Sequence, residues 1–160
     1  MKAVVHRGQA LVCEEIEDLT PGEGQALVIG PAFGVDAHAR AKLKAALKQS
    51  PRAPFVVDAD AITLLAPLSE GVLGGDDVLT PHAGEFERAF PGLLEASATR
   101  VDAATSAAGM AGCTIVLKGP DTVIAATDGR VLVNTTGTPF LATAGSGDAL
   151  AGLIAGLMGH

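Results

Sequence analysis

Short runs of β-branched and aliphatic residues alternate along this chain with stretches of helical periodicity. The runs occupy residues 25–29, 54–57, 77–80 and 114–118, and turn or polar residues follow each of them. Such an alternation is satisfied by a parallel sheet with helices packed on its faces. Two further runs flank the turn Thr127-Asp128-Gly129, which predicts a hairpin. The sequence therefore predicts an α/β fold with a mostly parallel sheet.

Two of the helical stretches have recognisable ends. Asp36 is placed to cap a helix that runs to Lys48. Thr99 and Asp102 have capping-box spacing at the start of a second helix, and Gly112 is suited to its end. The second helix is expected to run from about Thr99 to Ala111.

Two more helices are predicted, with fewer residues that mark their ends. A short one covers residues 61–66, and we expect Asp60 to cap it in preference to forming a metal pair with Asp58. The last helix covers residues 146–158 and has no charged residue after Asp148. A helix that is apolar nearly all round is expected to be buried on more than one side.

Composition excludes several classes of protein. The 160 residues, the size of one domain, contain no Trp or Tyr and have a net charge of −7, and the only basic concentration is the segment 40–48. Neither a stacking surface for nucleic acid nor a patch for an anionic membrane is expected. No apolar run reaches membrane-spanning length, no signal peptide is expected from the first residues, and Cys13 and Cys113 fit buried thiols of a reduced protein. The sequence predicts a cytoplasmic location.

The segment Ala144-Gly145-Ser146-Gly147-Asp148 opens the last predicted helix. Glycines let the backbone approach a ligand, and the free N–H groups of a helix N-terminus favour phosphate or a developing oxyanion. A carboxylate beside such an anion site could activate a hydroxyl for attack on a phosphoryl group. The alternative is a glycine-rich cap with an aspartate that complements the helix dipole.

Other polar residues follow the predicted strands. Gly34, Asp58, His82, Lys118 and Asp148 would all lie at the same edge of a parallel sheet, where ligands bind in such folds. Taken singly, the histidine could be an ordinary surface residue and the lysine part of an ordinary turn. Their shared position favours a nucleotide site.

Five segments together resemble one known family. They cover residues 28–34, 57–61, 79–86, 116–122 and 141–152. In this combination and order they resemble the NAD(P)H-hydrate dehydratases of the ribokinase-like superfamily. The resemblance implies a ribokinase-like fold over nearly all of the chain from Ala26 onward.

The resemblance also implies an activity, in which ADP (ATP in some relatives) phosphorylates the ring hydroxyl of hydrated NADH or NADPH. Phosphate then leaves, which restores the ring and gives AMP. By position, the resemblance assigns the catalytic base to Asp148, the anion hole to Gly145, Ser146 and Gly147, the adenine-nucleotide site to Lys118, Gly119, Pro120, Asp121, Thr122 and Gly147, and the substrate contacts to Gly34, His82 and Asp148. Mg²⁺ is expected to neutralise phosphate charge. Metal ligands are not assigned, and Glu85 is the one candidate considered.

Some positions depart from the family pattern. Ala32 stands where several members have glycine, and Ala83 where several have proline. The family's domain normally begins before Met1 and continues beyond His160. The expectation is therefore a single truncated domain over residues 1–160, incomplete at both ends. Alternatives are a vitamin-precursor kinase of the same fold and a non-catalytic nucleotide-binding relative. An apolar face left uncovered would favour a homo-oligomer.

Overall fold

The computed structural model describes residues 2–7, 10–15, 24–49, 52–141 and 143–159. It begins with an antiparallel hairpin of β1 (Lys2–Arg7) and β2 (Ala10–Glu15), in a register that pairs Lys2 with Glu15. No strands were predicted in this region from the sequence. The side chains of the hairpin lie outside the described part of the structure, and so does the expected burial of Cys13.

The main sheet follows the chain order from one edge to the other. Its strands are β3 (Leu27–Ile29), β4 (Phe55–Val57), β5 (Val78–Leu79), β6 (Thr114–Leu117), β7 (Thr122–Ala125) and β8 (Val131–Asn134). The pairs from β3 to β6 are parallel, and β7 and β8 are added antiparallel. The predicted mostly parallel sheet and the predicted hairpin are both confirmed.

In the described part of the chain, five helices lie between the parallel strands, and a sixth follows the last strand. They are α1 (Ala37–Leu47), α2 (Ala59–Leu65), α3 (Ala83–Ala89), α4 (Leu93–Ala96), α5 (Arg100–Ala111) and α6 (Ser146–Met158), and a 3-10 turn covers Pro139–Leu141. The predicted caps of α1 and α5 are confirmed: the Asp36 carboxylate accepts from Ala39 N at 2.8 Å, and Thr99 Oγ1 accepts from Asp102 N at 3.1 Å. The helices α3 and α4 were not predicted from the sequence.

The core has helices on both faces of the sheet. Phe55 and Val57 belong to a large apolar cluster with residues of α1, α2, α3 and α5, whereas Val56 packs with Ala151 and Ala155 of α6. Alternate residues of a strand point to opposite faces, so three consecutive apolar residues suit a strand that is covered on both sides.

The structure does not bury α6 on more than one side. Ala151 and Ala155 contact the sheet, while Leu153 and Leu157 are exposed in the described structure. The reason is geometric: residues two apart on a helix lie about 200° apart, so the leucines point away from the small residues that contact β4. Nowhere in the described ranges is a helix both long and apolar enough to span a membrane.

Candidate active site

Three consecutive parallel strands end beside one another and bring distant loops together. Asp58 follows β4, His82 lies three residues after β5, and Lys118 follows β6. His82 and Lys118 form a parallel bridge, and Lys118 N donates to the Pro81 carbonyl at 2.8 Å. The expectation that these residues share one edge of the sheet is therefore met for the three loops.

The Lys118 ammonium lies at the centre of this edge. Its Nζ is 2.7 Å from Asp58 Oδ1 and 3.8 Å from Glu85 Oε2. The lysine side chain is 21% exposed, whereas that of Asp58 is only 2% exposed. A buried carboxylate requires a partner of opposite charge to remain ionised at acceptable cost. Asp58 therefore fixes the ammonium at the rim, where a phosphate could reach it.

The first turn of α6 lies directly against this ion pair. A Cβ added at Gly147 would be 3.5 Å from Lys118 Nζ and 3.8 Å from Asp58 Oδ2. The helix follows Gly145, whose φ of +86° is easily reached only without a side chain, and no side chain caps the helix among the described residues. The amino end of α6 and the Lys118 ammonium thus present positive charge to the same space.

The other residues of the glycine-rich segment are placed as follows. Ser146 directs both its N–H, at 3.2 Å, and its hydroxyl, at 2.8 Å, to the carbonyl of Thr143. Asp148 is exposed in the first turn of α6, next to Gly147. Its neighbour Gly147 is the residue of this turn that lies against Lys118.

His82 caps a helix that the sequence analysis took for a loop. Its Nδ1 accepts from Gly84 N at 3.0 Å and from Glu85 N at 3.3 Å, and Glu85 Oε2 accepts from His82 N at 2.8 Å. An Nδ1 that accepts carries no proton, so the neutral ring holds its proton on Nε2. Nε2 is 3.4 Å from Glu85 Oε1, and the side chain is largely exposed. The capping-box spacing of residues 82 and 85 was the signal that could have predicted α3.

The loop after β3 is fixed to the loop after β4. A Cβ at Gly30, whose φ is +134°, would lie 1.7 Å from the Asp58 carbonyl oxygen. Gly34 is exposed, and its N–H donates to Asp60 Oδ2 at 2.8 Å. The prediction that Asp60 caps the following helix is wrong, because Asp58 occupies the cap position of α2 and Asp60 lies in its first turn.

The turn of residues 118–122 is closed by its own side chains. Thr122 Oγ1 donates to the Gly119 carbonyl at 3.0 Å, and Pro120 and Asp121 between them are exposed. Arg100, which was not predicted as a site residue, contacts this turn from the first residue of α5. Its Nη2 donates to the Lys118 carbonyl at 3.2 Å, and it would be 2.6 Å from a Cβ at Gly119.

The fold and this edge together define a ribokinase-like protein. A solved structure from Enterococcus faecalis, described as a ribokinase-like superfamily protein, is similar with a TM-score of 0.72 and 36% identity, over 84% of this chain and 47% of that chain. The ADP/ATP-dependent NAD(P)H-hydrate dehydratase of Bacillus subtilis, co-crystallized with ATP and Mg²⁺, has a TM-score of 0.71 and 34% identity, over 84% of this chain and 47% of that chain.

Sequence comparison is more specific. The family described as NAD(P)H-hydrate dehydratase matches residues 4–160, and the chain belongs to this family. It is 43% identical over 136 residues to the bifunctional NAD(P)H-hydrate repair enzyme Nnr of Thermofilum pendens, over 83% of this chain and 26% of that enzyme. It is 44% identical over 153 residues to the enzyme of the same name from Mycobacterium tuberculosis, over 91% of this chain and 31% of that enzyme. The chain thus spans less than a third of either relative.

Proposed function

We propose that this protein catalyses the ADP-dependent dehydration of hydrated NADH and NADPH. The observation that carries the proposal is the Lys118 ammonium, held at 2.7 Å by the buried Asp58 carboxylate and lying against Gly147 in the first turn of α6. A fixed cation and a helix N-terminus that converge on one space suit the phosphates of a nucleotide. Membership of the family supports the same reaction.

In the proposed first step, the Asp148 carboxylate takes the proton of the ring hydroxyl. The hydroxyl oxygen bonds to the β-phosphorus of ADP, and the bond from that phosphorus to the bridging oxygen breaks, which releases AMP. We assign Gly145, Ser146 and Gly147 to the transferred phosphoryl group, and Lys118, Gly119, Pro120, Asp121 and Thr122 to the adenine nucleotide. The short distance between Gly147 and Lys118 supports a shared anion site.

In the second step, the phosphate leaves with the electron pair of its C–O bond. The lone pair of the ring nitrogen stabilises the resulting cation, and loss of a proton from the neighbouring ring carbon restores the double bond. Phosphorylation is needed because hydroxide is a poor leaving group. We assign Gly34 and His82 to contacts with the hydrated dinucleotide, and the exposure of both residues supports this.

Glu85 fits a magnesium ion that would bind together with the nucleotide. Among the described residues, no group of three or more acidic, histidine or cysteine side chains could hold a metal. Mg²⁺ commonly binds phosphate oxygens with only one or two protein carboxylates, and Glu85 beside Lys118 could supply one. When bound, the ion would neutralise phosphate charge.

The test is recovery of NADH absorbance from the hydrated form in the presence of ADP. Asp148→Asn should lower the rate by roughly 10²–10⁴-fold while the circular dichroism spectrum is retained, because a general base contributes about that much. The control is Asp128→Asn, an exposed residue in the β7–β8 turn at the opposite edge of the sheet. Absence of turnover by folded protein, or full activity of the Asp148 variant, would contradict the proposal.

The products distinguish the alternative activities. Equal amounts of AMP and phosphate, without a stable phosphorylated product, would exclude a vitamin-precursor kinase. Binding of ADP without turnover would instead indicate a non-catalytic relative. Both measurements should use this chain and not a longer relative, because the chain spans only part of its relatives' length.

We also propose that residues 1–160 belong to one ribokinase-like domain that self-associates in the cytoplasm, where its nucleotides are found. The family match over residues 4–160 supports the single domain. Exposed apolar side chains of α6, Leu153 and Leu157, support self-association. Light scattering of the purified chain would test it, and a monomer at micromolar concentration would contradict it.

A further inference from the structure

The turn that opens α2 holds two different loops through two different carboxylates. Asp58 Oδ1 accepts from Lys118 Nζ at 2.7 Å, and Asp60 Oδ2 accepts from Gly34 N at 2.8 Å. Lys118 belongs to the proposed nucleotide site, and Gly34 to the proposed dinucleotide site. Residues two apart at the start of a helix do not share a face, so the two carboxylates can reach in different directions.

The backbone of this turn is unusual. Ala59, between the two aspartates, has a φ of +47°, in the left-handed region that residues with a Cβ seldom adopt. Such a conformation persists only where the surrounding contacts impose it. Here Asp58 N donates to the Ile29 carbonyl at 3.0 Å, and Gly30 packs against the Asp58 carbonyl so closely that no Cβ would fit.

These contacts fix the loop after β3 at two points. Its start is held by Gly30 against the backbone of Asp58, and its end by the Gly34 N–H on the Asp60 carboxylate. The Asp60 bond sets the orientation of the peptide plane that precedes Gly34. Because Gly34 itself is exposed, a ligand meets a backbone of fixed orientation at this point.

From this geometry we infer that Asp60 is a positioning residue for the hydrated dinucleotide and Asp58 a positioning residue for the adenine nucleotide. The inference rests on the proposed function and adds that the two carboxylates position the binding sites of two different ligands. Each carboxylate acts through another group, Asp60 through the Gly34 peptide and Asp58 through the Lys118 ammonium. Loss of either one should therefore weaken one ligand much more than the other.

Calorimetric titration of hydrated NADPH and of ADP, each alone, tests the inference without requiring turnover. Asp60→Ala should weaken hydrated NADPH about 10-fold and ADP less than about 2-fold, since one charge-assisted hydrogen bond is removed from one loop. Asp58→Ala should show the reverse preference. Asp60→Asn keeps an acceptor oxygen and should restore most of the dinucleotide affinity.

The matched control is Asp128→Ala. Asp128 also accepts from a backbone N–H, that of Arg130 at 3.0 Å, but it lies in the β7–β8 turn at the opposite edge of the sheet and holds neither loop. It should change neither affinity by more than about 2-fold, because its hydrogen bond stays within that turn. Amide exchange at Gly34 should be faster in Asp60→Ala and unchanged in the control.

Two results would overturn the inference alone: equal weakening of both ligands by Asp60→Ala, or unchanged dinucleotide affinity although Gly34 exchanges faster. If Asp58→Ala does not fold, the Asp60 variants and Gly34 exchange still decide. A folded wild-type chain that binds neither ligand would refute the proposed function itself. The two failures are therefore distinguishable.

Discussion

Asp77 lies at the amino end of β5, opposite the candidate active site, and its carboxylate accepts four hydrogen bonds. Oδ1 accepts from Arg52 Nη1 at 2.8 Å and from Phe55 N at 2.9 Å, while Oδ2 accepts from Arg52 Nη2 at 2.6 Å and from Gly74 N at 2.7 Å. The carboxylate raises the pKa of Arg52 through this paired hydrogen bond. Replacement of Asp77 by alanine would remove all four acceptor contacts at once.

The magnitude follows from burial. Removing one partner of a buried ion pair costs about 3–5 kcal/mol. The Asp77 side chain is 1% exposed, but that of Arg52 is 24% exposed and can regain water, so the lower end of this range applies. We therefore expect Asp77→Ala to lower the free energy of unfolding by about 3 kcal/mol, which corresponds to a decrease in Tm of roughly 6–12 °C for a chain of this size.

Urea denaturation of Asp77→Ala, Arg52→Ala and the double variant measures the coupling between the two side chains. The control is Asp128→Ala, because the Asp128–Arg130 pair is similarly short at 2.7 Å but has side chains that are 52% and 84% exposed. The exposed pair should contribute far less, since water and salt screen it. If the two aspartate variants lose equal stability, burial is not what makes the Asp77 contacts strong.

Two other predictions concern local packing and pH. Gly30→Ala should prevent folding or reduce Tm more than any other glycine-to-alanine change, because its Cβ would overlap the Asp58 carbonyl at 1.7 Å. The control is Gly109→Ala in α5, which should be neutral or slightly stabilising because nothing lies within 4 Å of the added Cβ. Similar melting curves for the two variants would contradict this prediction. Burial raises the pKa of the Cys113 thiol to about 12. The unfolded thiol ionises near pH 8.5 and the folded one only near pH 12, so stability falls as pH rises between these values, by about 1.4 kcal/mol per unit. Denaturation of wild type and Cys113→Ala from pH 8 to 11 should show a shallower decline in the variant, and parallel curves would refute the assignment.

Local signals predicted much of the fold. Asp36, Thr99 and Gly112 mark helix ends through bonds to residues three or four positions away, and the structure places the ends of α1 and α5 at these residues. The helix α3 was missed because the cap residue is a histidine, an uncommon acceptor at that position. The α6 helix was expected to be buried on more than one side, because composition alone does not show which of its faces contacts the sheet.

The site was predicted less completely. The edge of the sheet and Lys118 followed from strand order, but the partner of Lys118 is 60 residues away and could not be read from spacing. Asp60 was given a capping role because it precedes a helical pattern, whereas the structure uses it 26 residues away at Gly34. Long-range pairing of polar groups is a property of the assembled sheet, so such pairs are found only after strands are placed.

The ion pairs at the two ends of β4 differ in what they can exchange. Three strand residues, about 10 Å, separate Phe55 N, which donates to Asp77, from Asp58, which binds Lys118. At the amino end, the planar guanidinium of Arg52 donates two hydrogen bonds to the Asp77 carboxylate, which also accepts from the N–H groups of Phe55 and Gly74. At the carboxyl end, the Lys118 ammonium has three donors, and among the described residues it makes one hydrogen bond, to Asp58, while Glu85 Oε2 lies 3.8 Å away. A phosphate could therefore accept from the remaining donors of Lys118, whereas the acceptor positions of the Asp77 carboxylate are already occupied by four hydrogen bonds. The strand β4 thus has a structural ion pair of Asp77 and Arg52 at its amino end, and at its carboxyl end the Asp58–Lys118 pair, whose lysine could also bind a phosphate.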